Sequence, residues 1–239
     1  MASSWKDFSL THIIYPTNDP LAKLLAFLSL TPPFAVCALT TSTLIHKDVI
    51  AAYLLTGSLI CVGGSALLKE AIKQPRPRRF DHDPMEEMEY GMPSNHSSFV
   101  WFGATWVILY IIRGGNAWSA RSLISRKWSD SEESCGVVDG NSRQLVWQFL
   151  HTQFTILMCL LIASGCAYSR VYLGYHTANQ VMVGSVKGIV FGFVWYALFE
   201  TRIVREGLVW ADGMLFELER ERFLNLSCDG SMRNEKKGV

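Results

Sequence analysis

The chain has 239 residues, of which 49% are hydrophobic and 18% are charged. An average soluble domain carries about 25% charged residues, so this composition is poor in charge for a soluble protein. The formal net charge is +1 at pH 7, which argues against a protein that binds nucleic acid through a basic patch. This length fits one domain or at most two, and we predict a single domain, 1–239.

The apolar residues are concentrated in five long stretches with few charges. In chain order we predict membrane-spanning helices at about 21–45, 49–72, 95–113, 149–169 and 177–200. A helix needs roughly 17–25 mainly apolar residues to cross a bilayer, and each stretch reaches this length when the polar residues at its ends are included. The sequence therefore predicts an all-α, polytopic membrane helical bundle. A soluble protein with buried helices is the alternative.

Two features within these stretches need a structural explanation. Pro32 and Pro33 interrupt the first stretch, and because proline removes a helical hydrogen bond we expect a kink or break there. Lys187 lies in the middle of the fifth stretch, where it must either snorkel to the interface or face the interior of the bundle.

Three polar segments separate or follow the predicted helices. They are an exposed loop at 73–93, a flexible connector at 114–148 and a charged tail at 201–239 with an interfacial helix near 208–224. With five crossings, the loop at 73–93 and the short turn at 169–180 lie on one side of the membrane. The connector and the tail lie on the other side, which is richer in basic residues and is therefore predicted to be cytosolic.

Polar residues that suit phosphate chemistry stand at the helix ends on the predicted non-cytosolic side. Lys69 is followed, after six intervening residues, by Arg76-Pro77. Arginine binds phosphate oxygens in a bidentate manner, and lysine acts as a point charge. By itself this pair also fits basic side chains that snorkel from a helix end.

A second group, Pro93-Ser94-Asn95-His96, opens the third predicted helix. Ser94 or Asn95 is a suitable N-cap, and the free N–H groups and dipole at a helix N-terminus favour an anion such as phosphate. His96 would lie in the first turn, beside that anion. Helix capping with an interfacial histidine is the simpler reading of this group alone.

A third group comprises Ser169-Arg170, His176 and Gln180. His176 and Gln180 are four residues apart and share a helix face. The side-chain carbonyl of Gln180 can accept a hydrogen bond from the imidazole and so fix which ring nitrogen is available to attack. Alone, such a pair also fits a hydrogen bond in the core.

Together the three groups supply what phosphoryl transfer requires. Lys69, Arg76 and Arg170 are cations for the equatorial oxygens, and the two histidines can provide a nucleophile and an acid for the leaving group. All of these residues fall at helix ends on one predicted membrane side. The sequence therefore predicts a phosphoryl-transfer site at that end of the bundle.

The patterns Lys-x6-Arg-Pro, Pro-Ser-x-His and Ser-Arg-x5-His resemble those of the type 2 phosphatidic acid phosphatase (PAP2) superfamily, whose helical core is shared with vanadium haloperoxidases. Within it, the chain is most similar to the dolichyl-diphosphatase family. The residues that carry this closer similarity are Ser4-Trp5, Leu10-Thr11-His12, Tyr15-Pro16, Tyr90 to Ser97, Ser169 to Leu173 and Tyr175-His176-Thr177.

This resemblance implies a role for each matching residue. His176 corresponds to a nucleophile that forms a phosphohistidine, and His96 to the acid that protonates the leaving oxygen and then activates water. The phosphate would be held by Lys69, Arg76, Ser94, the Asn95 backbone and Arg170. The family uses no metal and no cofactor. We read the acidic and histidine residues at 81–87 as a solvated loop rather than a metal site.

The resemblance also implies a substrate and a location. It predicts hydrolysis of dolichyl diphosphate to dolichyl phosphate and inorganic phosphate, which recycles the lipid carrier of N-glycosylation. The enzyme would be a multi-pass protein of the endoplasmic reticulum membrane, with its site facing the lumen and its C-terminal tail in the cytosol. Two alternatives are a phosphatase of phosphatidate or a sphingoid phosphate, and a catalytically silent protein that binds a lipid phosphate.

The chain departs from the superfamily pattern in three places. Gln180 replaces an aspartate, as it does in the dolichyl-diphosphatase family, and this removes a charge that would stabilise the imidazolium. Asn95 stands where a small residue such as glycine is common, and we expect asparagine to tolerate a left-handed turn there. The connector at 114–148 is longer than the family pattern leads us to expect.

Overall fold

A computed structural model describes residues 5–8, 13–16, 18–77, 90–113, 141–215 and 217. Two short strands precede a bundle of helices, so the predicted helical bundle is confirmed and the strands are an addition that the sequence did not indicate. The elements are β1 (Trp5–Phe8), β2 (Ile13–Pro16), α1 (Pro20–Leu28), α2 (Thr31–Ile45), α3 (Val49–Ile72), α4 (Asn95–Ile112), α5 (Asn141–Tyr172), α6 (Ala178–Phe199) and α7 (202–215).

Four helical segments within the described residues are long and apolar enough to cross a membrane. They are Pro20–Ile45, which joins α1 and α2, then α3, the segment Trp147–Tyr172 of α5, and α6. Their outer faces expose large apolar side chains, such as Leu44 (71% exposed) and Leu67 (76% exposed). Exposed apolar surface of this extent indicates contact with lipid and argues against a soluble protein with buried helices. A fifth crossing by α4 stays a prediction.

The first apolar stretch is divided into two helices at the place where the prolines lie. Helix α1 ends at Leu28 and α2 begins at Thr31, with prolines in the first turn of α2. Proline is favoured at this position because the first N–H groups of a helix have no intrahelical acceptor. The Thr31 hydroxyl donates to the Leu28 carbonyl at 2.6 Å and links the two helices across the break.

The described helices extend into two segments that were predicted to be connector and tail. Helix α5 begins at Asn141, so residues 141–148 of the predicted connector are helical. This segment contains the good helix formers Arg143, Gln144 and Leu145, which explains why helix continues beyond the apolar part. Helix α7 overlaps the predicted interfacial helix near 208–224. Residues 216 and 218–224 of that prediction lie outside the described part of the chain, as do residues 114–140.

Helix α4 packs most closely against α6, because α6 presents a row of glycines to it. A Cβ atom added at Gly184 would lie 2.7 Å from the Ser94 carbonyl oxygen, and one at Gly188 would collide with the Ser98 carbonyl oxygen. At Gly192 it would lie 2.9 Å from the Thr105 side chain. Small residues four apart let two membrane helices approach at backbone distance. The absence of side chains at these positions therefore sets the spacing of α4 and α6.

Lys187 faces the interior of the bundle, which decides between the two alternatives for this residue. Its Nζ donates to the Cys61 carbonyl at 2.6 Å and to the Ser65 hydroxyl, both on α3. A lysine ammonium in a membrane helix is costly unless polar groups satisfy it. These contacts link α6 to α3 in the middle of the bundle.

The polar ends of four helices meet at one end of the bundle. Helices α3 and α5 end there, and α4 and α6 begin there. The N-terminal part packs at the same end, where Tyr15 contacts the cluster of Ala22, Ala26 and Leu173. The Tyr172 hydroxyl at the end of α5 donates to Asp19 Oδ2 at 2.6 Å, and so fixes the start of α1.

Candidate active site

The turn between α5 and α6 places His176 next to the end of α5. Gly174 has a φ of 75°, a conformation that glycine adopts without strain and that commonly ends helices. The backbone N–H groups of Tyr175 and His176 then donate to the Arg170 carbonyl at 2.9 Å and 3.1 Å. This turn brings the third sequence group, Arg170, His176 and Gln180, into one compact unit.

A capping box starts α6 and holds Gln180. The Thr177 hydroxyl accepts from the Gln180 backbone N–H at 3.3 Å, and Gln180 Oε1 accepts from the Thr177 backbone N–H at 3.2 Å. Sequence reasoning missed the capping role of Thr177, although Thr-x-x-Gln before an apolar run is the pattern of a capping box. The box fixes the Gln180 oxygen at the start of the helix.

Gln180 is oriented so that its oxygen faces His176. The distance between His176 Nδ1 and Gln180 Oε1 is 3.2 Å, while Gln180 Nε2 donates to the Pro75 carbonyl at 2.9 Å. Because Pro75 offers only an acceptor at this point, the amide nitrogen must turn toward it and the oxygen toward His176. Nδ1 of His176 therefore carries the proton, and Nε2 retains the lone pair needed for attack.

The two chain segments that flank residues 78–89 are held against Gln180. Pro75 and Tyr90 form an isolated antiparallel β-bridge, and the Gly91 N–H donates to the Gln74 carbonyl at 2.7 Å. A Cβ atom at Gly91 would lie 2.6 Å from the Gln180 amide, so only glycine fits there. Neither Gln74 nor Pro75 carried a sequence signal for this role.

The start of α4 lies directly on Gln180, because the Ser94 N–H donates to the Gln180 carbonyl at 3.2 Å. Ser94 is fully buried and occupies the N-cap position, as predicted, but its side chain makes no capping hydrogen bond. Its hydroxyl instead accepts from the Ser97 hydroxyl at 3.4 Å. The N-terminal end of α4 is thus not closed by the side chain of its own N-cap residue.

Asn95 does not adopt the left-handed conformation that we expected it to tolerate. It is the first helical residue of α4, and the non-glycine residues with positive φ in the described chain are Lys47 and Lys73. The position does not require a left-handed turn, because the turn precedes the helix at Pro93 and Ser94. The Oδ1 atom of Asn95 is buried with no hydrogen-bond donor among the described residues.

The structure brings the three predicted cations around both histidines. The charges of Arg170, Arg76 and Lys69 act on His176 and also on His96. Arg170 is 6% exposed, and its guanidinium carbon lies 3.9 Å from the centre of the Tyr175 ring. This contact fixes the guanidinium plane through a cation–π interaction, a role that the sequence motifs did not assign to Tyr175.

Burial lowers the pKa of His176 to about 3, and the nearby charges of Arg170 and Arg76 act in the same direction. The hydrogen bond from Gln180 opposes this change. At neutral pH the imidazole is therefore uncharged, which is the state a nitrogen nucleophile requires. The surrounding positive charge favours an anionic ligand at the same place.

The described residues contain no group of three or more histidine, cysteine or acidic side chains arranged to hold a metal ion. The acidic loop at 81–87 lies outside the described residues. What the described geometry provides is a neutral imidazole, three cations and a helix N-terminus at one point. That combination is suited to binding and transferring a phosphoryl group.

Comparison with known proteins identifies the family. The model of the PAP2 superfamily matches residues 47–203, a range that contains all eight predicted site residues. The chain belongs to the PAP2 superfamily. It is 31% identical over 82% of its length to "Dolichyldiphosphatase 1" of Rhinolophus ferrumequinum, and 30% identical over 82% to that of Homo sapiens. The matches cover 73% and 72% of those relatives.

The fold agrees with this assignment. A transmembrane PAP2-type phosphatidylglycerolphosphate phosphatase from Bacillus subtilis superposes with a TM-score of 0.52 at 18% identity, covering 77% of this chain and 80% of that one. At this identity the superposition speaks for the fold alone. With the family and the relatives, the chain is a multi-pass membrane phosphatase with lipid phosphatase activity.

Proposed function

We propose that this PAP2 phosphatase hydrolyses dolichyl diphosphate to dolichyl phosphate and inorganic phosphate, and so recycles the lipid carrier of N-glycosylation. The names of its relatives support this substrate. The observation that carries the chemistry is the neutral His176, which is oriented by Gln180 at 3.2 Å among three cations.

In the first step, His176 Nε2 attacks the terminal phosphorus of the diphosphate. A P–N bond forms, and the bond from that phosphorus to the bridging oxygen breaks. The leaving oxygen belongs to dolichyl phosphate and takes a proton from His96, which carries that proton once the negatively charged diphosphate is bound beside it. As the P–N bond forms, His176 acquires positive charge, and the Nδ1–H bond to Gln180 Oε1 stabilises it.

In the second step, water attacks the phosphohistidine. His96, now neutral, accepts a proton from the water as the oxygen bonds to phosphorus and the P–N bond breaks. Inorganic phosphate leaves, and both histidines return to their starting states. One residue thus acts as acid and then as base, as microscopic reversibility requires.

The remaining site residues hold the phosphoryl group. Lys69, Arg76 and Arg170 neutralise its equatorial oxygens, as their action on both histidines indicates. Ser94 and the Asn95 backbone contribute donors at the start of α4, where the helix dipole also favours an anion. Stabilisation of charge by such fixed groups is usually the largest contribution to catalysis.

The same proposal places the enzyme in the endoplasmic reticulum membrane, with the site facing the lumen and the C-terminal tail in the cytosol. The excess of basic residues predicted on the opposite side supports this orientation. No nucleic acid takes part. The whole chain, 1–239, would form one catalytic unit.

The test is phosphate release from dolichyl diphosphate by the purified chain in detergent with excess EDTA. We expect turnover that survives the chelator and is lost in His176→Ala. His46→Ala is the matched control, because His46 is exposed at the opposite end of the bundle, and it should retain full activity.

Other outcomes separate the alternatives. A clear preference for phosphatidate or a sphingoid phosphate over dolichyl diphosphate would change the substrate but keep the mechanism. Loss of turnover in EDTA that Mg²⁺ restores would contradict the metal-free mechanism. No turnover on any lipid phosphate, with lipid binding unaffected by His176→Ala, would support a silent binding protein instead.

A further inference from the structure

An apolar cavity of about 300 Å³ lies between helices α2, α3, α4 and α5. Its lining contains no charged side chain, and small residues leave the space open. Its lining includes Ala38 of α2, Val100, Gly103 and Val107 of α4, and Ile162 of α5. None of them belongs to the phosphate site described above.

The cavity lies on the same face of α4 as His96, and its lining starts about one helical turn further along that helix. His96, Val100, Gly103 and Val107 are spaced by four, three and four residues along α4, so they lie on one face of that helix. With a rise of 1.5 Å per residue, Val100 and Val107 lie roughly 6 Å and 17 Å along the axis from His96. The opposite face of α4 packs against the glycines of α6. The cavity thus continues the helix face that carries the proposed acid.

The cavity also opens to the outside of the bundle. Ala38 on α2 and Ile162 on α5 line it and are exposed, and both lie in segments long and apolar enough to cross a membrane. An apolar chain can therefore pass from the bilayer into the cavity without leaving an apolar environment, which avoids the cost of hydrating it.

We propose that this cavity binds the part of the substrate's hydrocarbon chain nearest to its phosphates. The inference rests on the function proposed above, in which His96 protonates the oxygen that stays with the lipid. The lipid chain must leave the reacting centre on the His96 side, and the cavity lies on that side. Its volume is at the lower end of the range of about 300–1,000 Å³ for ligand pockets, so the rest of a long chain stays in the bilayer.

Gly103 offers a way to fill the cavity without disturbing the fold. A Cβ atom added at Gly103 meets no atom within 4 Å, and replacing a glycine within a helix raises helix propensity. Gly63 on α3 also has no atom within 4 Å of an added Cβ, and it is exposed and outside the cavity lining. Gly103→Leu and Gly63→Leu are therefore a matched pair that differ in whether the new side chain occupies the cavity.

The experiment compares kcat/KM for dolichyl diphosphate with that for methyl diphosphate, which carries the same reacting group without a chain. We expect the ratio of the two to fall at least about 10-fold in Gly103→Leu, because the loss of a few methylene contacts in an apolar pocket is worth about 10- to 200-fold. Gly103→Ala should give a smaller fall, and Gly63→Leu should leave the ratio as in the parent.

The same ratio in all three variants and the parent would overturn the inference, and would mean that bilayer lipid alone fills the cavity or that the chain lies elsewhere. An equal fall in Gly63→Leu would overturn it too, because the effect would not depend on the cavity. If the parent releases no phosphate from dolichyl diphosphate, the proposed function itself fails. That result is distinct from an unchanged ratio.

Discussion

Gln180 connects the three polar groups that are far apart in the sequence. Its Oε1 receives His176 Nδ1–H, its Nε2 donates to the Pro75 carbonyl, and its backbone carbonyl accepts from Ser94 N–H. A carboxylate could not donate to Pro75, so an acid here would place negative charge against a carbonyl oxygen in a fully buried site. The neighbouring groups therefore explain why this chain has an amide where the superfamily has aspartate.

The first prediction concerns that amide. In Gln180→Leu the His176 ring loses its acceptor and the Pro75 carbonyl loses its donor. We expect kcat on dolichyl diphosphate to fall by up to about 10⁴, the loss seen when a catalytic histidine is left in the wrong tautomer, with a much smaller change in KM. A fall confined to KM, measured by steady-state phosphate release, would contradict this role.

The second prediction follows from the lowered pKa of His176. Its pKa is about 3 in the folded protein and about 6.5 when unfolded. Between these values the unfolded state binds more protons, so the contribution of this residue to stability is present above pH 6.5 and is lost as the pH falls toward 3. The limiting slope is about 1.4 kcal/mol per pH unit.

Thermal unfolding in detergent from about pH 7 to about pH 4.5 measures this effect. The midpoint of the parent should fall more steeply than that of His176→Gln, in which the titrating group is absent. Parallel curves for the two proteins would show that His176 titrates at its ordinary pKa.

At the scale of elements, the spacing of α4 and α6 determines the site, because one helix carries Ser94 and His96 and the other carries Gln180. The third prediction is that Gly188→Ala lowers the stability by about 1–3 kcal/mol, the usual cost of overpacking, since its Cβ would collide with the Ser98 carbonyl oxygen. Activity should fall with it. The control Gly63→Ala has open space at the same type of helical position and should show neither change in thermal unfolding or turnover.

The fourth prediction concerns Lys187, which links α6 to α3 through Cys61 and Ser65. A charged ammonium is costly to bury in a membrane helix, and after its removal the Ser65 hydroxyl still donates to the Cys61 carbonyl at 3.2 Å. We therefore expect Lys187→Met to keep or raise the unfolding midpoint. We expect kcat/KM to fall, because the Lys187 contacts hold α6 against α3, and α3 carries Lys69 at its end in the candidate site. Parallel loss of stability and activity would instead indicate a structural role.

At the scale of the whole molecule, α6 crosses the bundle once, so the site at its start and the tail after α7 should lie on opposite sides of the membrane. The fifth prediction is that an epitope at the C-terminus is digested by protease added to sealed endoplasmic reticulum vesicles. An epitope inserted between residues 83 and 84 should be protected until detergent is added. Protection of both, or of neither, would contradict the proposed orientation.

The sequence by itself determined the helical membrane class and the residue types of the site. Long apolar stretches are a local property, and so is the spacing within each polar group, from Lys69 to Arg76 or from Arg170 to His176. The break before α2 also followed locally, because proline acts within its own turn. The roles of these residues in catalysis stay predictions.

The tertiary structure alone decided which groups contact one another. No local pattern indicated that Pro75 orients Gln180 or that Gly91 leaves room for it, since these contacts join residues about 90–105 positions apart and depend on how the helices pack. The inward orientation of the Lys187 side chain and the cavity beside Gly103 also depend on how the helices pack. Whether a small residue closes an interface or opens a space depends on the facing helix, and no single helix encodes that information.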